Sequence, residues 1–344
     1  MTIENGQSPL NGHFFPDHMQ LPLALLQSLL VMLLLLSANL PFSSGEARAD
    51  AASGPFFLMG SGKLHLKNLR NGRETRVQLL KPDGSLDETA LSEVDRVFGF
   101  PTAEKGEHIS PRLLCMLSHF VDRMAPGSTI HIESAYRSPE YNDGIRRKGA
   151  NAARTSTHMD GMALDFWLAG VDGKYLWQTI READCCGVGH YGGKSIHLDA
   201  GRPRFWEAAT SGTKNPEPDY NRFLYLSTNF DRYRPGTQLR LSLSGVSTFG
   251  FGVRPTARLR PAAATDREGS PLTLSDSGTA DCVTLADRRA TRFLLFTLPS
   301  GLPAGRYRID LEFCNRPFPQ MPAGASSNVI EVIGSPRSVR AEDR

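Results

Sequence analysis

The chain has 344 residues, 40% hydrophobic and 22% charged, the make-up of an ordinary folded protein rather than a disordered or fibrous one. A formal net charge of +3 with no basic run argues against a nucleic-acid partner. The length leaves room for two folded domains once any targeting segment is set aside.

Residues 21–36 are an apolar, leucine-rich run, and Ala47-Arg48-Ala49 follows in the manner of a secretory cleavage site. Residues 1–49 are therefore expected to be a signal peptide or an N-terminal anchor, and the protein to be periplasmic or secreted. No Lys or Arg precedes the apolar run, which is marginal in length for crossing a bilayer. Membrane association is expected only through this segment. Export makes disulfides permissible for the five cysteines. Cys282 and Cys314 are one expected pair, and Cys115 with Cys185 or Cys186 another; buried thiols throughout are the alternative.

Beyond that, residues 63–69 alternate as a strand, Asn71-Gly72 makes a hairpin turn, and residues 74–80 form a second strand. Helical spacing covers residues 86–98 and 111–125, the latter with Leu113, Leu114, Leu117, Phe120 and Val121 on one side. Residues 130–136 alternate again, and Ser138-Pro139 opens a helix. A buried strand over 165–168, a helix over 175–184 and a half-buried strand over 195–199 follow. Strands and helices mix without βαβ regularity, so the fold class is α+β, with a mixed or antiparallel sheet and flanking helices over residues 50–206. Residues 207–220, rich in Gly, Ser, Pro and charge, read as a linker that would let residues 50–210 fold alone. Short alternating runs at 223–226, 238–243, 291–296 and 306–313 predict a small immunoglobulin-like β-sandwich over 221–334, and 335–344 a tail.

The chemistry concentrates in Ser156-Thr157-His158 through Asp165 and in Gly187-Val188-Gly189-His190-Tyr191 through Asp199. His158 would sit on a loop, since Gly161 interrupts the way to Asp165. In the 195–199 strand, His197 and Asp199 would share one face and Ile196 and Leu198 the other. Two neighbouring strands and a loop thus bring His158, Asp165 and His197 to one point. Two imidazoles and a carboxylate, with a position left for water, suit a hydrolytic zinc site rather than a structural one.

Upstream lies Ser134-Ala135-Tyr136-Arg137-Ser138. The order S-x-Y-R-S, S-x-H-x-x-G-x-A-x-D, then G-V-G-x-Y before an H-x-D strand resembles the zinc D-alanyl-D-alanine carboxypeptidase superfamily, especially its murein endopeptidase K-like branch, over residues 56–206. The resemblance implies zinc on His158, Asp165 and His197, an arginine facing the metal at Arg137, and substrate contacts at Ser156 and Tyr136. It implies a peptidase acting on cross-links or stem peptides of peptidoglycan, as endopeptidase or carboxypeptidase. One departure stands out. Some members place a glutamate general base three residues before the last histidine ligand, where this chain has Lys194, and others a histidine two residues before it, where this chain has Ser195. Asp199 and His190 are the candidate proton acceptors, Asp199 having the alternative role of orienting an imidazole. The missing glutamate also leaves a second function open, a zinc-containing wall-binding module without turnover.

Overall fold

The computed structural model describes residues 54–101, 107–149, 152–210, 219–264, 268–275 and 277–334. The expected signal or anchor, most of the expected linker and the tail lie outside them. No helix among the described residues is long and apolar enough to cross a membrane.

Alternation builds the first half. In β1 (Lys63–Asn68), Leu64 and Leu66 are buried while Lys63, His65 and Lys67 point the other way. Gly72, at φ 70°, turns the chain into β2 (Glu74–Gln78), antiparallel to β1. On the other side β1 runs parallel to β3 (Thr129–Ser134). With β4 (Ala163–Leu168), β5 (Gly187–His190), β6 (Ile196–Asp199) and β7 (Arg204–Glu207) they form a seven-stranded mixed sheet of order β2-β1-β3-β4-β6-β5-β7.

The helices begin where a short polar side chain can take the first free amides. Asp87 caps α1 (Glu88–Phe98), Ser110 caps α2 (Pro111–Met124), Ser138 caps α3 (Pro139–Arg147) and Asp172 caps α4 (Gly173–Glu182). Val94 of α1, Leu117 and Phe120 of α2, and Leu176 and Ile180 of α4 enter one core with Leu66, Ile132, Phe166, Val188 and Leu198 of the sheet. That core covers one face of the sheet. The period of two then leaves every second strand residue, Asp165 and His197 among them, on the opposite face.

The second half is all-β, so the class is α+β. Tyr225–Thr228, Gln238–Ser244 and Leu294–Thr297 make a three-stranded antiparallel sheet. A larger sheet runs Ser270–Thr273, Thr256–Pro261, Gly305–Glu312, Ile330–Val332 and Arg232–Tyr233, with Gly324–Ser326 also on Gly305–Glu312. Leu241, Phe296, Leu259, Ile309 and Ile330 from these sheets share one apolar core. The strand expected over 291–296 starts only at Leu294, because Ala290–Arg292 forms a 3₁₀ turn. Cys282 and Cys314 are joined as expected. Cys115 is not joined to either neighbour: Cys185 and Cys186 pair with each other, and Cys115, on the core side of α2, is a free thiol pushed up to about 12 by burial.

The described residues cluster as one compact unit, and two aspartates with buried side chains, Asp231 and Asp160, help lock its halves. Asp231 pairs with Arg112 of α2 and accepts from Phe57 N at 2.9 Å, while Asp231 N donates to Pro55 O at 2.8 Å. Asp160, in the loop before β4, pairs with Arg288 of the all-β half.

Candidate metal centre

The strand register puts one row of residues across the open face. Ser134 of β3 stands opposite Asp165 of β4, Asp165 opposite His197 of β6, His197 opposite Gly189 of β5, and Gly189 opposite Trp206 of β7. A bulge between Ile132 and Ser134 brings Ser134 onto this row. The next row runs Ala163, Asp199, Gly187 and Arg204. The two glycines of β5 have a steric purpose. A Cβ on Gly189 would overlap the Trp206 indole, and one on Gly187 would overlap Asp199 and Arg204. Without side chains there, Trp206 reaches His197, ring centroids 5.0 Å apart, and Arg204 reaches Asp199.

His158 comes from the loop before β4. Its Nδ1 lies 2.6 Å from Ala135 O, an acceptor only, so Nδ1 carries the proton and Nε2 presents a lone pair. His197 Nε2 donates to Asp199 Oδ2 at 2.7 Å, which leaves Nδ1 as its lone pair. The two lone pairs face each other at 3.2 Å. Asp165 Oδ1 lies 3.2 Å from His158 Nε2 and 2.9 Å from His197 Nδ1. Three buried acceptors this close repel unless a cation or an added proton lies among them. A tetrahedral zinc with bonds of about 2.0–2.1 Å would space its ligands by about 3.3 Å. The site therefore has the size and donor set of a metal centre, and these are the three residues among those described that could hold an ion together.

The electrostatics agree. Burial holds His158 below the ordinary histidine value, so it is neutral and free to ligate. Burial opposes charge on His197 as well, yet Asp165 and Asp199 raise its pKa, the same negative field that would attract a cation. Desolvation alone would lift the Asp165 carboxyl, but His158 and His197 beside it hold it well below the carboxylate range.

The other expected residues fall in different places. Arg137 is at the centre: Nη2 donates to Asp165 Oδ2 at 2.7 Å and Nε to Ser134 Oγ at 2.9 Å. Asp199 sits behind His197, both oxygens occupied, by His197 Nε2, Gly201 N and Arg204. It is on the far side of the imidazole from the lone pair and does not face the centre. His190 stands opposite Ile196, and so on the other face of the sheet. It packs near Trp177 of α4, with Nε2 3.1 Å from Gly193 O, and the structure does not bring it to the triad. Ser156 is buried in the ligand loop, where its Oγ accepts from His158 N at 3.4 Å. Tyr136 lies edge-to-face on Phe100, ring centroids 5.0 Å apart, and the Phe100 ring fills the space that a Cβ on Gly161 would take. Lys194 places its ammonium 3.5 Å from the centroid of the Trp167 ring.

Two residues of the centre were not picked out from sequence. The Tyr191 hydroxyl donates to Asp165 Oδ1 at 2.9 Å. Its signal was present: residues 187, 189 and 191 alternate onto one face, and Tyr191 ends the G-V-G-x-Y motif. Trp206 gave no such signal, because its place depends on β7 pairing parallel to β5.

Residues 59–206, which contain all of these groups, match the family model described as "Peptidoglycan L,D-endopeptidase MepK". The peptidoglycan L,D-endopeptidase MepK of Escherichia coli K12 is 26% identical over 144 residues, 42% of this chain and 79% of the relative. Its counterpart from Shigella flexneri gives the same figures. The probable peptidoglycan L,D-endopeptidase MepK of Haemophilus influenzae is 34% identical over 79 residues, 23% of this chain and 42% of the relative. Through residues 59–206, the part that carries the metal face, the chain is similar to the MepK-like branch of the zinc D-alanyl-D-alanine carboxypeptidase superfamily.

Proposed function

We propose that the protein is an exported zinc metallopeptidase that cleaves peptide bonds of bacterial peptidoglycan as an endopeptidase. The L,D bond named for its relatives is the first candidate. What supports this best is the convergence of His158 Nε2, Asp165 Oδ1 and His197 Nδ1 within 3.2 Å of one another. A divalent ion held there supplies Lewis acidity toward a peptide carbonyl and lowers the pKa of water.

The chain's own residues take defined parts in this reading. Arg137 steadies Asp165 through Oδ2, and its further N–H donors serve a substrate carboxylate or the developing oxyanion. Tyr191, whose single hydroxyl proton rests on Asp165 Oδ1, turns it to the same developing charge. Trp206 against His197 gives the cleft an apolar wall that limits water. Asp199 fixes the His197 tautomer and ring orientation, and Ser156 shapes the ligand loop. In the same reading residues 1–49 direct export, 50–206 are the peptidase domain, and 221–334 an immunoglobulin-like sandwich, a reading supported by the all-β half's sheets closing on one core.

The test is incubation of the purified protein with isolated sacculi, with zinc and with chelator, and separation of the released muropeptides. Zinc-dependent release of fragments cut between an L and a D centre is expected. No release with zinc present would overturn the proposal.

A further inference from the structure

Asp165 and His197 sit on adjacent strands in direct register, so the sheet's own hydrogen bonds hold them. His158 has no such ladder. Its loop turns on itself, Met159 N to Ser156 O at 2.9 Å and Met162 N to Thr157 O at 3.1 Å, and is tied to its own half by Arg137 N to His158 O at 3.3 Å, Ser110 N to Gly161 O at 2.9 Å and Ala200 N to Met162 O at 2.9 Å. The next two residues are held from outside. The Asp160 side chain, 6% exposed, pairs with Arg288, lies 3.7 Å from Arg292 Nη2 and accepts from Gly245 N at 3.3 Å. Arg292 Nη2 also donates to Met159 O at 3.1 Å, while its Nη1 pairs with Glu107. The two positions after the histidine are the ones that S-x-H-x-x-G leaves open. Arg288, Arg292 and Gly245 all lie beyond the matched residues 59–206.

We infer that the all-β half is a clamp for the metal-ligand loop: Arg288, Arg292 and Gly245 hold Met159 and Asp160 so that His158 Nε2 stays in place opposite His197 Nδ1. They are positioning residues, acting through the loop. The physical reason is the tolerance of a metal site, whose ligands must stay within about 0.5 Å of their productive geometry. A loop whose Met159 carbonyl and Asp160 carboxylate find no partner among the described residues of its own half does not meet that tolerance alone. A buried carboxylate between two guanidinium groups does, because releasing it would strand a buried charge. Arg112 of the second lock lines the same cavity as Asp160 and Arg292, but it bonds Asp231 and Thr228 O rather than the loop, and it keeps the halves docked when the clamp is opened.

The inference rests on the metal-centre reading, and full-length protein loaded with cobalt(II) tests the two separately. Wild type should bind about one cobalt with the visible spectrum of a tetrahedral ion; absence of that binding would sink the metal centre itself. Arg288→Ala/Arg292→Ala should bind cobalt roughly 10- to 100-fold more weakly and shift its visible bands, as loss of outer partners does. Asp160→Asn, nearly isosteric, should move affinity and bands in the same direction if the double variant is unstable. Arg288→Lys/Arg292→Lys should restore part of the affinity. Arg112→Ala should lower the melting temperature and leave the cobalt spectrum alone. Wild-type affinity and spectrum in both Arg288→Ala/Arg292→Ala and Asp160→Asn would overturn the clamp. So would a spectrum moved equally by Arg112→Ala.

Discussion

Asp199→Asn separates a group that orients an imidazole from one that takes a proton. Asp199 is fully buried and accepts from His197 Nε2 at 2.7 Å, Gly201 N at 2.9 Å, and Arg204 Nη1 and Nη2 at 3.0 and 2.7 Å. Asparagine has one acceptor oxygen, and its amide nitrogen must face donors. About two charge-assisted hydrogen bonds are lost, at about 1.5–3 kcal/mol each. Arg204 is 33% exposed, so water offsets part of this and the lower half of the range applies, about 3 kcal/mol in all. For a chain of 344 residues that is a melting shift of roughly 4–5 °C. Metal affinity should fall about 10- to 100-fold, because His197 loses the partner that fixes its tautomer. The pH dependence carries a sign. Burial alone would raise the Asp199 carboxyl, but His197 and Arg204 hold it well below its ordinary value. Its stabilisation is therefore present above about pH 4 and is lost as pH falls through the lower folded value. Wild type should lose stability more steeply than Asp199→Asn below about pH 4. Metal titration, thermal melts across acid pH and hydrolysis of sacculi measure all three. An Asp199→Asn protein that keeps wild-type metal affinity and stability while losing hydrolysis would refute the reasoning and make Asp199 the base.

His158→Ala and His197→Ala should each abolish stoichiometric zinc by metal analysis; full zinc in both would remove the site. Tyr191→Phe removes only the hydroxyl that points at Asp165 Oδ1 and should cost on the order of 100-fold in kcat with zinc retained, whereas unchanged kcat would take Tyr191 out of the chemistry. Gly189→Ala inserts a methyl where the Trp206 indole lies and should displace that ring, read as a change in tryptophan fluorescence together with a higher KM. Cys115, pushed up to about 12 by burial, should resist thiol reagents in the folded protein and react once denatured; fast labelling of native protein would contradict its place in the core.

Alternation and spacing carried much of the fold. Leu64 and Leu66 against His65 and Lys67, or Ile196 and Leu198 against His197 and Asp199, state which side of a strand meets the core, because side chains leave a strand on alternate faces. Ser138-Pro139 likewise marks a helix start through local chemistry alone. The three candidate ligands, His158, Asp165 and His197, were legible for the same reason, each being tied to a local pattern. Contacts between distant segments were not. His190 and Asp199 look equivalent along the chain, but cross-strand register sends His190 to the helix side and turns Asp199 behind His197. Trp206 enters the centre only because β7 pairs parallel to β5, whose glycines leave it space. The stretch after Trp206 has the composition of a linker, yet buried Asp160 and Asp231 each find an arginine in the other half, and a buried charge holds its partner firmly however far apart the two lie in sequence.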